Sequence, residues 1–105
     1  MDINDLTILQ TKELSTDEGR HSFVLGENYF IRTVSYHYTG RLISVTDTDL
    51  VLADAAWIAD SGRWATALAT GKLEEVEPYP GSVILNRASI VDASIWSHPL
   101  PREQK

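Results

Sequence analysis

The sequence contains no cysteine, only one methionine and no long apolar run. The absence of cysteine excludes disulfides, thiolate metal sites and cysteine nucleophiles. No stretch approaches the roughly 18 apolar residues that a membrane-spanning helix needs. The first residues also lack the basic and apolar regions of a secretory signal. We therefore expect a cytoplasmic protein with no membrane partner.

Basic residues are scarce as well. Nine Lys and Arg stand against fifteen Asp and Glu, for a net charge of −6. Non-specific nucleic-acid binding depends on neutralising phosphates, so this balance disfavours it while leaving room for one local basic spot. The three histidines are not at ligand spacing, which predicts no zinc site. Asp47 and Asp49 resemble the start of a calcium loop whose later glycine and glutamate are missing, so we expect no metal and no cofactor.

Length and composition predict one soluble globular domain. A chain of 105 residues buries about 65% of its unfolded surface, which is enough for one modest core. Residues 1–28 are mostly polar and predict an N-terminal arm, which is either loose or ordered against a neighbouring subunit. Residues 29–96 carry the β pattern. Residues 97–105 predict an extended tail, because Pro99 and Pro101 prevent regular pairing.

The β pattern divides into several strands. Aromatic and β-branched residues dominate residues 29–39 and predict one strand, and Gly40 predicts a bulge or sharp bend after it. Residues 41–45 and 50–55 flank a polar turn and predict a hairpin. Residues 83–85 and 89–96 predict a last strand pair with a bend at Asn86 and Arg87.

Residues 57–81 read as an insert before that last pair. Ser61 as N-cap and Gly71 as a stop predict a short helix over about residues 62–70. Two prolines and a glycine predict a loop over residues 74–81. The expected fold is mainly β: a small SH3-like or Sm-like barrel of about five strands, with one short helix.

Two segments carry a family resemblance. Residues 39–45, the polar turn and residues 50–55 resemble the first signature of Sm-like proteins, and residues 83–91 are similar to the second. The whole chain also resembles small phage- and prophage-encoded proteins of unknown function. The resemblance implies a closed ring of copies joined by strand pairing. Asp49 stands where RNA-binding members carry asparagine, and Arg87 where they carry glycine, so the ring is implied more directly than the RNA pocket.

Large aromatic residues suggest where copies would meet. Trp57 and Trp64 either fasten the insert over the barrel or lie in a subunit interface, where tryptophan is enriched. Trp96 ends the last strand beside the tail, which favours an interface. The candidate interface residues are Trp57, Trp64, Trp96, Tyr29 and Ile31.

A second set of residues suggests nucleic-acid contact. Tyr36, His37 and Tyr38 either stack bases or divide between two faces of a strand. Arg87, with Arg41 and Arg63, would form a small basic spot on one ring face. The candidate contacts are Tyr36, His37, Tyr38, Asn86 and Arg87.

No catalytic motif is present in the sequence. We therefore expect a non-enzymatic, ring-forming structural or accessory protein of phage or prophage type. Its first partner is itself, and another phage or host protein is a further candidate. The alternative is an Sm-like protein that binds single-stranded nucleic acid.

Overall fold

The structure is a computed structural model that describes residues 21–105. Six antiparallel strands form one sheet, accompanied by one short helix, which confirms the mainly β prediction. The elements are β1 (Asn28–Thr33), β2 (His37–Val45), β3 (Asp49–Asp60), α1 (Trp64–Thr70), β4 (Glu75–Pro78), β5 (Val83–Asn86) and β6 (Ile90–Ile95). Predictions for residues 1–20 of the arm lie outside this range. Within it, no helix has the length and apolar character needed to cross a membrane.

Strand β3 organises the sheet. The main path runs β4-β3-β2-β1-β6, and β5 also pairs with β3. Residues 49–52 of β3 pair with β5, whereas residues 56–60 pair with β4. Between the two stretches Asp54 has a φ of 49°, and β3 gains one residue relative to β2. Aspartate is one of the few residues besides glycine that visits the left-handed region, so this bulge is where β3 changes partners.

The predicted hairpin of residues 41–45 and 50–55 is confirmed. Arg41 pairs with Ala53 and Val45 with Leu50. The bend at Gly40 is also confirmed, because the register shifts between Thr39 and Arg41. A Cβ atom on Gly40 would lie 2.9 Å from the Cβ of Leu52, so this close strand crossing requires glycine.

The prediction of one strand over residues 29–39 is wrong, because a tight turn at residues 34–36 separates β1 from β2. The Thr33 hydroxyl donates to the Tyr36 carbonyl at 2.6 Å and accepts from the Tyr36 N–H at 2.9 Å. The Thr33 N–H donates to the same carbonyl at 2.8 Å. One threonine side chain thus closes the turn without the glycine or asparagine that usually signals it.

The last predicted strand pair is also corrected. β5 pairs with β3 and β6 pairs with β1. A 3₁₀ turn, Arg87–Ser89, separates them, and the Asn86 side chain stabilises it by accepting from the Ala88 N–H at 2.9 Å. In the described residues β5 and β6 each pair with one strand only, and they are called the outer strands below; three residues join them.

The insert differs from its prediction in two details. The helix ends as predicted, with Gly71 at a φ of 79°, but its N-cap is Arg63 with no capping side chain. The Ser61 hydroxyl instead donates to the Gly62 carbonyl. Part of the predicted loop forms β4, where Pro78 ends the strand at a position that tolerates a missing N–H.

Two apolar cores lie on opposite faces of the sheet. The first contains Tyr29, Ile31, Leu42, Leu50, Leu52, Ala55 and Leu85. The second contains Phe30, Ala56, Ile58, Ala67, Leu73, Val76 and Trp96, with Trp64, Leu68 and Leu100 packed against it. Because successive side chains of a strand point to opposite faces, β1 is buried on both sides.

Residues 97–105 form a strap over the second core. The His98 Nε2 lies 2.7 Å from the Leu68 carbonyl oxygen, and the Trp96 indole N–H donates to the Pro99 carbonyl at 3.1 Å. Lys105 exchanges two backbone hydrogen bonds with Val76, at 3.1 and 3.0 Å. This strap therefore covers the outer edge of β4.

Gly71→Ala should destabilise the protein. A Cβ atom there would lie 2.7 Å from the His98 Cγ, and the φ of 79° is unfavourable for alanine. We expect the free energy of unfolding to fall by about 1–3 kcal/mol, measured by urea denaturation. Gly81→Ala is the matched control, because a Cβ there meets nothing within 4 Å. Equal stability of the two variants would contradict the role assigned to Gly71.

Candidate functional site

Four aromatic side chains form one face at the end of the sheet. Tyr38 lies directly opposite Trp57 across β2 and β3, and opposed residues of antiparallel strands share a face. Tyr36 packs edge-on against Trp57 with ring centroids 5.6 Å apart, and Tyr79 stacks on Tyr38 at 6.4 Å. Tyr36, Tyr38, Trp57 and Tyr79 are called the aromatic face below.

The backbone of Ala55 positions Tyr79 on this face. The Tyr79 N–H donates to the Ala55 carbonyl at 2.8 Å, which fixes the backbone beyond β4. Ala55 lies two residues before Trp57 and so shares its face. Burial raises the pKa of Tyr38, and the nearby Tyr79 hydroxyl adds to the effect.

The aromatic face is the open side of this part of the sheet. The second core and α1 cover the opposite side. On the aromatic face, 53% of Tyr36 and 38% of Tyr79 remain exposed. Aromatic surface left half-exposed on one side of a sheet is typical of a contact site.

A groove of about 260 Å³ runs beside the aromatic face. Val34, Tyr36 and Tyr38 line one side, and Ile84, Leu85 and Asn86 of β5 line the other. The Val34 N–H donates to the Ser89 carbonyl at 2.9 Å, which closes one end. One edge of β5 pairs with β3. In the described residues, the groove borders the other edge of β5, which pairs with no strand.

The structure brings together three of the five candidate nucleic-acid contacts. Tyr36, Tyr38 and Asn86 line the groove. His37 packs edge-on against Phe30 of the second core at 5.7 Å, and burial, with the Arg32 charge, lowers its pKa. The Arg87 guanidinium donates to the Thr46 carbonyl and lies 6.0 Å from the Phe23 ring centroid.

The candidate interface residues divide between the interior and the surface. Tyr29, Ile31 and Trp96 are 5%, 0% and 2% exposed, so their side chains fill the two cores instead of a surface open to a partner. Trp57 and Trp64 are partly exposed. Trp57 belongs to the aromatic face, and Trp64 lies against Arg32, whose guanidinium carbon is 4.2 Å from the indole centroid.

The two outermost strands expose aliphatic residues that sequence analysis did not single out. Ile84 on β5 is 68% exposed, and Val91 and Ile95 on β6 are 62% and 52% exposed. Short apolar strands were visible in the sequence, but their exposed residues follow from long-range pairing. Edge strands of monomeric proteins are usually protected by charged residues, proline or a covering segment.

Arg32 ties three elements together. Its Nε donates to the Asp92 Oδ1 at 2.9 Å, and its Nη2 pairs with Oδ2 of the same carboxylate. The contact with Trp64 adds α1 to this β1–β6 pair. The hydrogen bond from Arg32 holds the pKa of Asp92 below its usual value. The single charged side chain of β6 is thus turned away from the open edge of the sheet.

A second ion-pair group lies at the β3 bulge. Arg41 and Arg102 both contact the Asp54 Oδ2, at 2.7 and 3.2 Å. The hydrogen bond from Arg41 and the Arg102 charge lower the pKa of Asp54. Arg41 and Arg87, two members of the predicted basic spot, are therefore both engaged within the chain.

Asp92→Asn should make the free energy of unfolding less dependent on pH under acidic conditions. The folded-state pKa of Asp92 is lowered, so the ion pair stabilises the fold above the unfolded pKa of about 3.9 and is lost as pH falls through the lower value. Urea denaturation across this pH range should show that the free energy of unfolding falls more steeply with decreasing pH in the wild type than in Asp92→Asn. In an Arg32→Gln background, Asp92→Asn should leave the slope unchanged. A slope that Asp92→Asn alters equally in both backgrounds would rule out the ion pair as its source.

No protein-family model, curated protein or solved structure matches this chain. In residues 21–105, no three His, Cys, Asp or Glu side chains lie close enough together to hold a metal ion. Function therefore has to be inferred from the aromatic face, the groove and the two outer strands.

Proposed function

We propose that the protein is a non-enzymatic assembly protein whose copies join through β5 and β6 into a closed ring. The observation that carries this proposal is the exposed aliphatic surface of both outer strands. In the described residues, Ile84, Val91 and Ile95 lie on strands that each pair along one edge only. An open edge with apolar side chains is a template for pairing with another chain.

The connectivity supports an SH3-like or Sm-like barrel. The order β5-β3-β2-β1-β6 places β5 and β6 at opposite ends, yet the 3₁₀ turn between them has only three residues. So short a connection favours a sheet that curls until these two ends approach each other. The bend at Gly40 and the bulge at Asp54 supply curvature on adjacent strands.

The two outer strands are complementary. The groove beside β5 offers an open backbone edge between Val34 and Ile84, and β6 presents Val91 and Ile95. When β6 of one copy pairs along β5 of the next, these aliphatic side chains pack into the groove. Such a contact joins two different surfaces, and repeated contacts of this kind form a ring when the rotation closes.

The strap explains why assembly should use these strands and spare β4. Lys105 pairs with Val76 on the outer edge of β4, so a partner strand there would have to displace it. The proposed phage or prophage structural or accessory role is supported by the sequence resemblance alone.

Charge on either outer strand should block the ring. We expect wild type to scatter light as a multiple of 11.7 kDa, and Val91→Lys and Ile84→Lys each to scatter as one chain, because lysine protects an open edge. An equimolar mixture of the two variants should form a dimer and nothing larger, since each retains one intact surface. Ala69→Lys, on the exposed side of α1, should assemble like wild type.

Two results would refute this arrangement. Wild-type protein that is monomeric at micromolar concentration would remove the proposal altogether. If Val91→Lys is monomeric while Ile84→Lys still dimerises, β6 pairs with itself and the head-to-tail ring is wrong.

A further inference from the structure

We infer that the aromatic face binds an extended peptide segment in which proline lies next to lysine or arginine. The aromatic face carries this activity, whereas ring formation is carried by β5 and β6. Tyr36 and Tyr38 also line the groove beside β5, but Trp57 and Tyr79 do not.

The shape of the surface favours an extended, proline-containing segment. The four rings form two contacting pairs, Tyr36 with Trp57 and Tyr38 with Tyr79, and Tyr38 and Trp57 are cross-strand neighbours. Tyr36 and Tyr79 remain partly exposed. Tyrosine and tryptophan combine an apolar face with a polar tip. A polyproline II segment leaves its own carbonyls unpaired and loses little entropy on binding, so aromatic strips with hydroxyl groups suit it.

The charge around the strip favours a basic residue in the ligand. Glu77 lies directly opposite Trp57 across β3 and β4, so the two side chains share a face. In the described part of the chain, the Glu77 carboxylate accepts only from the neutral Gln104 amide, at 3.1 and 3.3 Å. A lysine or arginine lying over the Trp57 ring would gain a cation–π contact and this unneutralised carboxylate together.

The same charges disfavour the other occupants. Three arginines are engaged elsewhere in the chain: Arg41 and Arg102 with Asp54, and Arg87 with Thr46. A nucleic-acid strand would bring its phosphates toward the Glu77 carboxylate, which repels them. A second copy of this chain would bring a net charge of −6 to that carboxylate, whereas on the outer strands it meets aliphatic side chains.

The test is fluorescence anisotropy with three labelled peptides that differ at one position. The probes are a proline hexapeptide with one central arginine and the same peptide with glutamine or glutamate there. We expect wild-type protein to bind the arginine peptide with a micromolar Kd, about tenfold more tightly than the glutamine peptide, and the glutamate peptide not at all.

Two variants separate the apolar and the charged contributions. Trp57→Ala should weaken the arginine peptide about tenfold or more. Glu77→Gln should weaken the arginine peptide about fivefold and leave the glutamine peptide unchanged, a pattern that loss of folding would not produce. Val91→Lys is the control from the assembly surface, because Val91 does not line the groove that Tyr36 and Tyr38 share with β5, and it should bind the arginine peptide like wild type.

Several outcomes would overturn the inference. These are no binding of the arginine peptide at millimolar protein, equal binding by wild type and Glu77→Gln, or binding of oligouridylate with none of the peptide. Loss of peptide binding in Val91→Lys would place the ligand on the assembly surface instead. A monomeric wild-type protein that still binds the arginine peptide would refute the ring and leave the peptide site standing.

Discussion

The structure depends on β3 having two different partners along one edge. Residues 49–52 pair with β5, whereas residues 56–60 pair with β4. The bulge at Asp54 makes the change possible, because its left-handed residue turns the strand between the two stretches. The two stretches serve different surfaces, since residues 49–52 hold β5 and residues 56–60 carry Trp57 of the aromatic face.

The extension beyond the bulge has two unlike sides. One side is closed by α1 and the strap, which bury Phe30, Val76 and Trp96. The other carries Tyr38, Trp57 and Glu77 in a row with no helix over them in the described residues. The insert thus uses its helix to stabilise one side and leaves the other available for a ligand.

Local signals predicted the parts of the fold that are held by neighbours in sequence. The hairpin at residues 41–55 has a polar turn between apolar strands, and α1 ends at a glycine whose left-handed φ no other residue adopts as easily. The turn at residues 34–36 escaped prediction because Thr33 closes it with its own side chain. β4 was not predicted because Pro78 and Pro80 resemble the prolines of a loop, although Pro78 only ends the strand.

The sites were harder to predict, because register decides them. Tyr36 and Tyr38 stand out in the sequence, but their partners Trp57 and Tyr79 reach them only through pairings shifted by bulges in β2 and β3. The exposure of Val91 and the burial of Trp96, both on apolar segments near the end of the chain, likewise depend on which sheet edge receives each segment. No periodicity in one short segment contains that information.

The burial of β1 on both sides has a consequence for how the protein opens. Tyr29 and Ile31 belong to one core and Phe30 to the other, so a single strand serves as the shared wall of two hydrophobic clusters. Unfolding of either cluster therefore removes packing contacts from the other. The helix, the strap and the sheet should therefore behave as one cooperative unit in hydrogen exchange, with the amides of residues 29–31 the last to open.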